Sequence, residues 1–437
     1  MNLIFTVLAL LGLGYFLFVP RVFDWFSVGY VSSCIYMTPA FVGISVGGYY
    51  EETPMCAEAY LACGVVLFAI LLGAFLTDTI RTAPPVPVRN RPLEGPIAFV
   101  LTAINLLGLI QTWRTGGEDL WSSNKQEVLQ VLTVWCLIWQ MGSVSGTVFS
   151  YASARPRLML VNLLSLCFLW FLGFRSSMVL TALAIFVIWA SGRGRRPLVG
   201  NWKLGVCGMT MLAFVLCYKQ VYIFVKSGRW DAVVAVVSQD GFLSESLLKS
   251  EAMTQTHLLN IVLIEDYRIP FWEHWQATLV ESLLPGVGKS GDVSYGGWLT
   301  AELFTDVPWG IASNIWAEMY SAGGWLLLFA FAAAYACVLR GASMVIRRGS
   351  TLAICVTCAW MPNWAFYIHR NDTYRMLSFL KQYGLVLALC GVGVVLLQML
   401  GLGGLRRGTV PAPGVGEAAA VPGERRAGLE SPRRRAA

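Results

Sequence analysis

The sequence predicts an all-α, polytopic transmembrane protein of about 11 spans with one long extracytoplasmic helical loop. Three observations predict it. Of the 437 residues, 56% are hydrophobic and only 13% charged, whereas a soluble domain carries about 25% charged residues. Apolar runs long enough to cross a hydrocarbon core of about 30 Å recur along the chain. Lysine and arginine collect in alternate connections between those runs, as the positive-inside rule requires.

The first run, 3–19, has neither the basic leader nor the small-x-small cleavage site of a signal peptide, and another hydrophobic segment follows closely, so it reads as a retained helix. Further spans are expected at 28–50, 57–80, 97–113, 128–150, 158–173, 177–190, 204–225, 325–346, 351–368 and 377–401. The stretch 158–190 is divided because its 33 residues would rise about 50 Å as one helix, well beyond the core. The turn at Gly173–Ser176 then sits below the membrane surface.

Orientation follows from charge. One side carries Arg21, Arg81, Arg89, Arg91, Arg155, Arg157, a cluster from Arg193 to Lys203, Arg347, Arg348 and seven arginines of the tail, nineteen of the 32 basic residues. That side is assigned to the cytoplasm, with the N-terminus outside and the C-terminus inside. The net charge of +7 therefore reflects topology and implies no nucleic acid. The organisation expected is an N-terminal bundle (1–225), a long outer segment (226–324), three C-terminal spans (325–401) and a disordered basic tail (402–437) against anionic lipid.

The outer segment contains "WDAVVAVVSQDGFLSESLLKSEA" and "FWEHWQATLVESLLPG", amphipathic at helical period. Seven of the seventeen tryptophans fall between Trp230 and Trp325. Rings beside polar groups suit a carbohydrate, whose C–H face packs on an aromatic surface; Trp272, Trp275 and Tyr320 are the sugar-binding candidates. An interfacial aromatic belt would collect the same residues. "PGVGKSG" at 285–291 is not a phosphate loop, because Leu283 stands where the first glycine is required. The eleven cysteines show no zinc-like spacing and read as buried small hydrophobes; no Asp/Glu/His cluster suggests a required metal, and no cofactor is expected.

All three histidines, His257, His274 and His369, fall on the outer side in this topology, as do Arg175, Arg229, Arg268, Arg370 and Arg375. Arg175 is the sharpest signal, a cation at membrane depth in "FLGFRSSMVL". Such a charge is costly unless it is paired or lines a wet cavity. A guanidinium there can hold a phosphate with a bidentate fork, or it can snorkel to the interface. "HRNDTYR" at 369–375 places imidazole, cations and a carboxylate together between two spans, or is a solvated turn.

The order of these pieces resembles the bacterial O-antigen polymerase (Wzy) family, of the wider glycosyltransferase-C-like polymerase and ligase class. The matching pieces are "GFRSSMVL" opening a short helix, one long loop ending in "SNIWAEMYSAGGW", and three helices to the end. Arg175, Glu318, Tyr320, Gly323 and Gly324 occupy the places of the family's short motifs. The chain departs from the paired R-x10-G loop motif, since Arg229 to Gly241 is one residue too long.

The resemblance implies a multi-pass enzyme of the bacterial inner membrane, with its N-terminus periplasmic. It would take a glycan from undecaprenyl pyrophosphate and join it to the next carrier-linked repeat unit. Its partners would be that carrier-linked oligosaccharide, membrane lipid and a chain-length regulator. Arg175, Arg370, Arg375 and Arg229 are the pyrophosphate-binding candidates; His274, Glu318 and His369 are the candidates for the base. The alternatives are an O-antigen ligase, with lipid A core as acceptor, and a polysaccharide flippase. A flippase would show inverted repeats with broken helices in both halves, and the sequence offers a single broken pair at 158–190.

Reporter fusions test the topology. Fusions at Arg195, Arg347 and the tail are expected to report cytoplasm, and fusions at Ser250 and Asn371 the outside; a cytoplasmic signal at Ser250 would remove the outward-facing site.

Overall fold

A computed structural model describes residues 1–47, 51–79, 94–122, 133–201, 224–242, 250–283, 294–305 and 313–401, with a few isolated positions between. Its helices are α1 (Asn2–Phe18), α2 (Trp25–Tyr36), α3 (Thr38–Val42), α4 (Ala57–Asp78), α5 (Glu94–Gly116), α6 (Val134–Ala152), α7 (Pro156–Phe171) and α8 (Arg175–Ser191). There follow α9 (Trp230–Val237), α10 (Glu251–Ile264), α11 (Phe271–Leu283), α12 (Tyr295–Glu302), α13 (Ile315–Arg348), α14 (Thr351–Phe366) and α15 (Thr373–Met399). Four segments are long and apolar enough to cross a membrane: α4, α5 extended to Trp121, α13 and α15. α1, α7, α8 and α14 are shorter apolar helices. The expected span at 204–225 and the tail at 402–437 lie largely outside the described residues.

The span expected at 28–50 is not one helix. α2 stops at Tyr36, just before Pro39 would remove a helical N–H. α3 ends on Gly43 at φ +88, a left-handed conformation that glycine adopts without a Cβ clash. The chain then turns into a departure from the all-α expectation, a hairpin of β1 (Ile44–Val46) and β2 (Glu52–Pro54). Ser45 stands opposite Thr53 in its antiparallel register. Asn260 of α10 closes its base, donating to Pro54 O at 2.9 Å and accepting from Cys56 N at 2.9 Å. The outer segment is thereby packed onto the N-terminal helices.

The broken pair is present. Gly173, at φ +96, lets α7 finish with Phe174 N donating to Leu169 O and Gly173 N to Trp170 O, both at 2.9 Å. α8 therefore opens on Arg175. α5, α6 and α7 pack closely because small residues let their backbones approach: a Cβ on Gly108 would lie 2.7 Å from Trp139 N. Asn105 ties the three together, donating to Asn162 at 2.7 Å and accepting from Ser143 and Ser165 at 2.8 Å each.

α13 breaks at Gly323 and Gly324. Gly324 has φ 63 and ψ −156, a region essentially reserved for glycine, and a Cβ there would stand 2.9 Å from Arg268 Nη1. The break separates a wholly buried first segment, Ile315–Ala322, from the apolar shaft that begins at Trp325.

At the far end of α13, Arg347 meets Asp24 and Asp78, and Arg21 meets the same two carboxylates. Tyr15 also donates to Asp78 at 2.7 Å. Arg21 and Arg347, two of the residues assigned to the basic side, are buried and matched. The backbone of Arg196 bonds Arg21 O, so Arg21, Asp78, Arg196 and Arg347 share one end of the bundle. Removing one partner strands a buried charge. Asp24→Ala is expected to cost about 3 kcal/mol or more, read as a lower melting temperature of the detergent-purified protein; an unchanged melt would show that the network carries no stability.

Candidate functional site

The opposite end of the bundle gathers most of the residues singled out above. The loop from α14 to α15 is a short 3₁₀ turn, Ile368–Arg370, followed by Asn371 and by Asp372, which caps α15 through Arg375 N at 2.8 Å. Ser313 donates to the second oxygen of Asp372 at 2.7 Å. The turn and the start of α8 border a cleft of about 250 Å³ lined by Arg370, Arg375, Asn363, Asn371, Ser176 and Gln382 among others. Arg175 is the neighbour of Ser176 on the same turn.

Glu251, the first residue of α10, reaches into this cluster. Its carboxylate stands 2.7 Å from Arg370 Nη1 and 4.0 Å from Arg175 Nη2. The three side chains are between 18% and 33% exposed, which leaves them reachable from solvent without being loose. Arg175 also faces the Tyr222 ring, 6.0 Å from its centroid. One carboxylate thus joins Arg370 to Arg175, and Arg370 shares the cleft lining with Arg375. Sequence reasoning passed over Glu251, because an acidic residue in an amphipathic stretch reads as a solvated face.

His274 and Glu318 form one unit. His274 Nε2 lies 2.7 Å from Glu318 Oε1, with exposures of 1% and 0%. The other carboxylate oxygen accepts from Thr373 N at 2.8 Å and Thr373 Oγ1 at 3.1 Å. His274 Nδ1 is buried with no partner among the described residues; around the ring stand Trp275, Tyr295 and Trp298. The dyad is sealed from solvent, yet it is hydrogen-bonded to the first turn of the helix that carries Arg375.

His369 is placed differently. Trp316 Nε1 donates to its Nδ1 at 2.8 Å, so that nitrogen carries no proton. The proton of the neutral ring then sits on Nε2, which faces Ser33 Oγ at 3.0 Å while Ser33 donates onward to Gly29 O. The ring stacks on Tyr36. Both nitrogens are spent on packing.

Tyr320 is buried, with its hydroxyl donated to Asp266 at 2.7 Å and Arg268 lying over its ring at 4.2 Å. Trp275 is half-buried in the core, while Trp272 is 78% exposed. Arg229 is exposed beside Phe224, and no contact joins it to the cation cluster among the described residues. Among the described residues no group of three His, Cys, Asp or Glu could hold a metal. No family model, no curated protein and no solved structure matches the chain significantly.

Burial pushes the pKa of His369 down to about 3 and that of His257 down to about 4. Both stay neutral in the folded protein where an unfolded histidine, near 6.5, takes up a proton. Their contribution is therefore intact above about pH 7 and is lost as pH falls below 6.5, by about 2 kcal/mol each at pH 5. The fall in melting temperature between pH 7 and pH 5 is expected to shrink in His369→Gln; an equal fall would show that His369 does not drive it.

Proposed function

We propose that the chain is a membrane glycosyltransferase that polymerises lipid-carrier-linked oligosaccharide repeat units on the outer face of a bacterial inner membrane. In this reading the N-terminus is periplasmic, and the end of the bundle bearing Arg175 and Glu318 faces the periplasm. The observation that carries the reading is that Glu251 gathers Arg370 and Arg175 beside a cleft lined by Arg370 and Arg375. A site with excess positive charge and a guanidinium fork suits a pyrophosphate.

Glu251 marks where anionic oxygens sit. The pyrophosphate of the carrier takes that place, and the arginines absorb the charge that grows on it as the sugar–phosphate bond breaks. Asn363, Asn371 and Gln382 supply amides for sugar hydroxyls on the same wall. The acceptor hydroxyl's proton must pass to a base as the new glycosidic bond forms. Of the three candidates, His274 alone keeps a ring nitrogen without a partner among the described residues, and Glu318 orients it through Nε2. Trp275, Tyr295 and Trp298 must part to let a hydroxyl reach it.

Arg175→Ala is expected to lower the rate about a hundredfold, equivalent to about 3 kcal/mol, and to abolish long chains on a gel while the immunoblot of the membrane fraction is unchanged. Arg175→Lys keeps the charge without the planar fork and should recover part of the ladder. A normal ladder from Arg175→Ala would defeat the reading. Deleting the gene separates polymerase from ligase: the first leaves single repeat units on the lipid, the second leaves none.

A further inference from the structure

α11 is built with its polarity reversed. The side turned into the protein carries His274, Thr278 and Ser282, none more than 1% exposed. The outward side is graded along its length. In the first two turns it shows Trp272, Glu273 and Gln276; in the last it shows Leu279, Val280 and Leu283, between 37% and 51% exposed. A helix on a water-facing surface would turn the second set inward.

Two contacts give its direction. His274 lies at the level of Thr373, because both bind Glu318. Seven residues further on, Glu281 O accepts from Lys381 Nζ, eight residues into α15, at 3.4 Å. At about 1.5 Å of rise per residue, α11 and α15 therefore run side by side in the same sense for about 10–12 Å. α15 has 27 residues and rises about 40 Å, whereas a hydrocarbon core spans about 30 Å. With the excess shared between its ends, the level of Lys381 lies about 7 Å inside the core.

We infer that α11 is not part of an aqueous outer domain but dips into the bilayer beside α15, and that lipid acyl chains cover Leu279, Val280 and Leu283. Trp272 then rests at the headgroup level, where indole rings gather, with Glu273 and Gln276 beside it. Lys381 binds a helix carbonyl at a depth where a lone ammonium would be costly. The polar face of α11 is turned away from lipid, and the Glu318–His274 bond is its anchor at the surface end. The inference needs only that α15 crosses a membrane, and it holds whatever α8 and the cation cluster bind.

The test uses the full chain in phosphatidylcholine–phosphatidylglycerol vesicles, with dansylalanine incorporated singly at 272, 279, 280 and 283. Val392, 60% exposed on α15, is the lipid control, and Asp231, exposed on α9, is the aqueous one. Quenching is read with doxyl-labelled lipid and with iodide. The expected result is that 279, 280 and 283 follow Val392, with iodide quenching roughly fivefold weaker than at Asp231, and that 272 is intermediate. Iodide quenching at 279 and 283 equal to that at Asp231 would overturn the inference. So would shielding from both quenchers, which would mean that protein covers this face. Because three positions are probed separately, one variant that fails to accumulate does not decide the result.

Discussion

A carboxylate without access to water must be given donors, and in this protein that requirement falls on Glu318. Fully buried, it receives His274 from α11 on one oxygen and the first turn of α15 on the other. Three elements far apart in sequence meet there: a helix of the outer segment, the start of α13 and the start of α15. Each donor satisfies a group whose desolvation would otherwise cost several kcal/mol. The Gly323–Gly324 break follows from the same constraint, because it lets the buried segment around Glu318 run separately from the apolar shaft behind it.

The two ends of the bundle use arginine in opposite ways. At one end Arg21 and Arg347 are matched by Asp24 and Asp78, a neutral network that joins the α1–α2 connection, α4 and α13. At the other end Arg175 and Arg370 share the single carboxylate of Glu251, and Arg375 lines the same cleft as Arg370. A balanced network contributes structure; an unbalanced one attracts an anion. That asymmetry supports the proposed pyrophosphate site, and it does not depend on counting loop charges.

Much of the helical layout was legible because hydropathy over about 20 residues reflects the thickness of a bilayer core. The division of 158–190 followed from helix rise, and the turn falls on Gly173, within the expected Gly173–Ser176 turn. The stretch 28–50 misled because Pro39 and Gly43 are local breakers inside an apolar run, and the hairpin they release gains its stability from Asn260 far along the chain. At the site, the arginines were legible as single costly charges. Their carboxylate partner was not, since Glu251 acquires its role only by lying against Arg175 and Arg370.

The sequence by itself determined that the chain is helical and suited to a bilayer, that the stretch 158–190 must break, and which cations need a reason to be where they are. Those follow from transfer free energies and backbone sterics, which act locally. Tertiary structure alone decided which histidine keeps an open nitrogen, which arginines are neutralised, and which face of α11 looks outward. These depend on a partner from a distant segment arriving within about 3 Å, the reach of a hydrogen bond, and no local pattern encodes that distance.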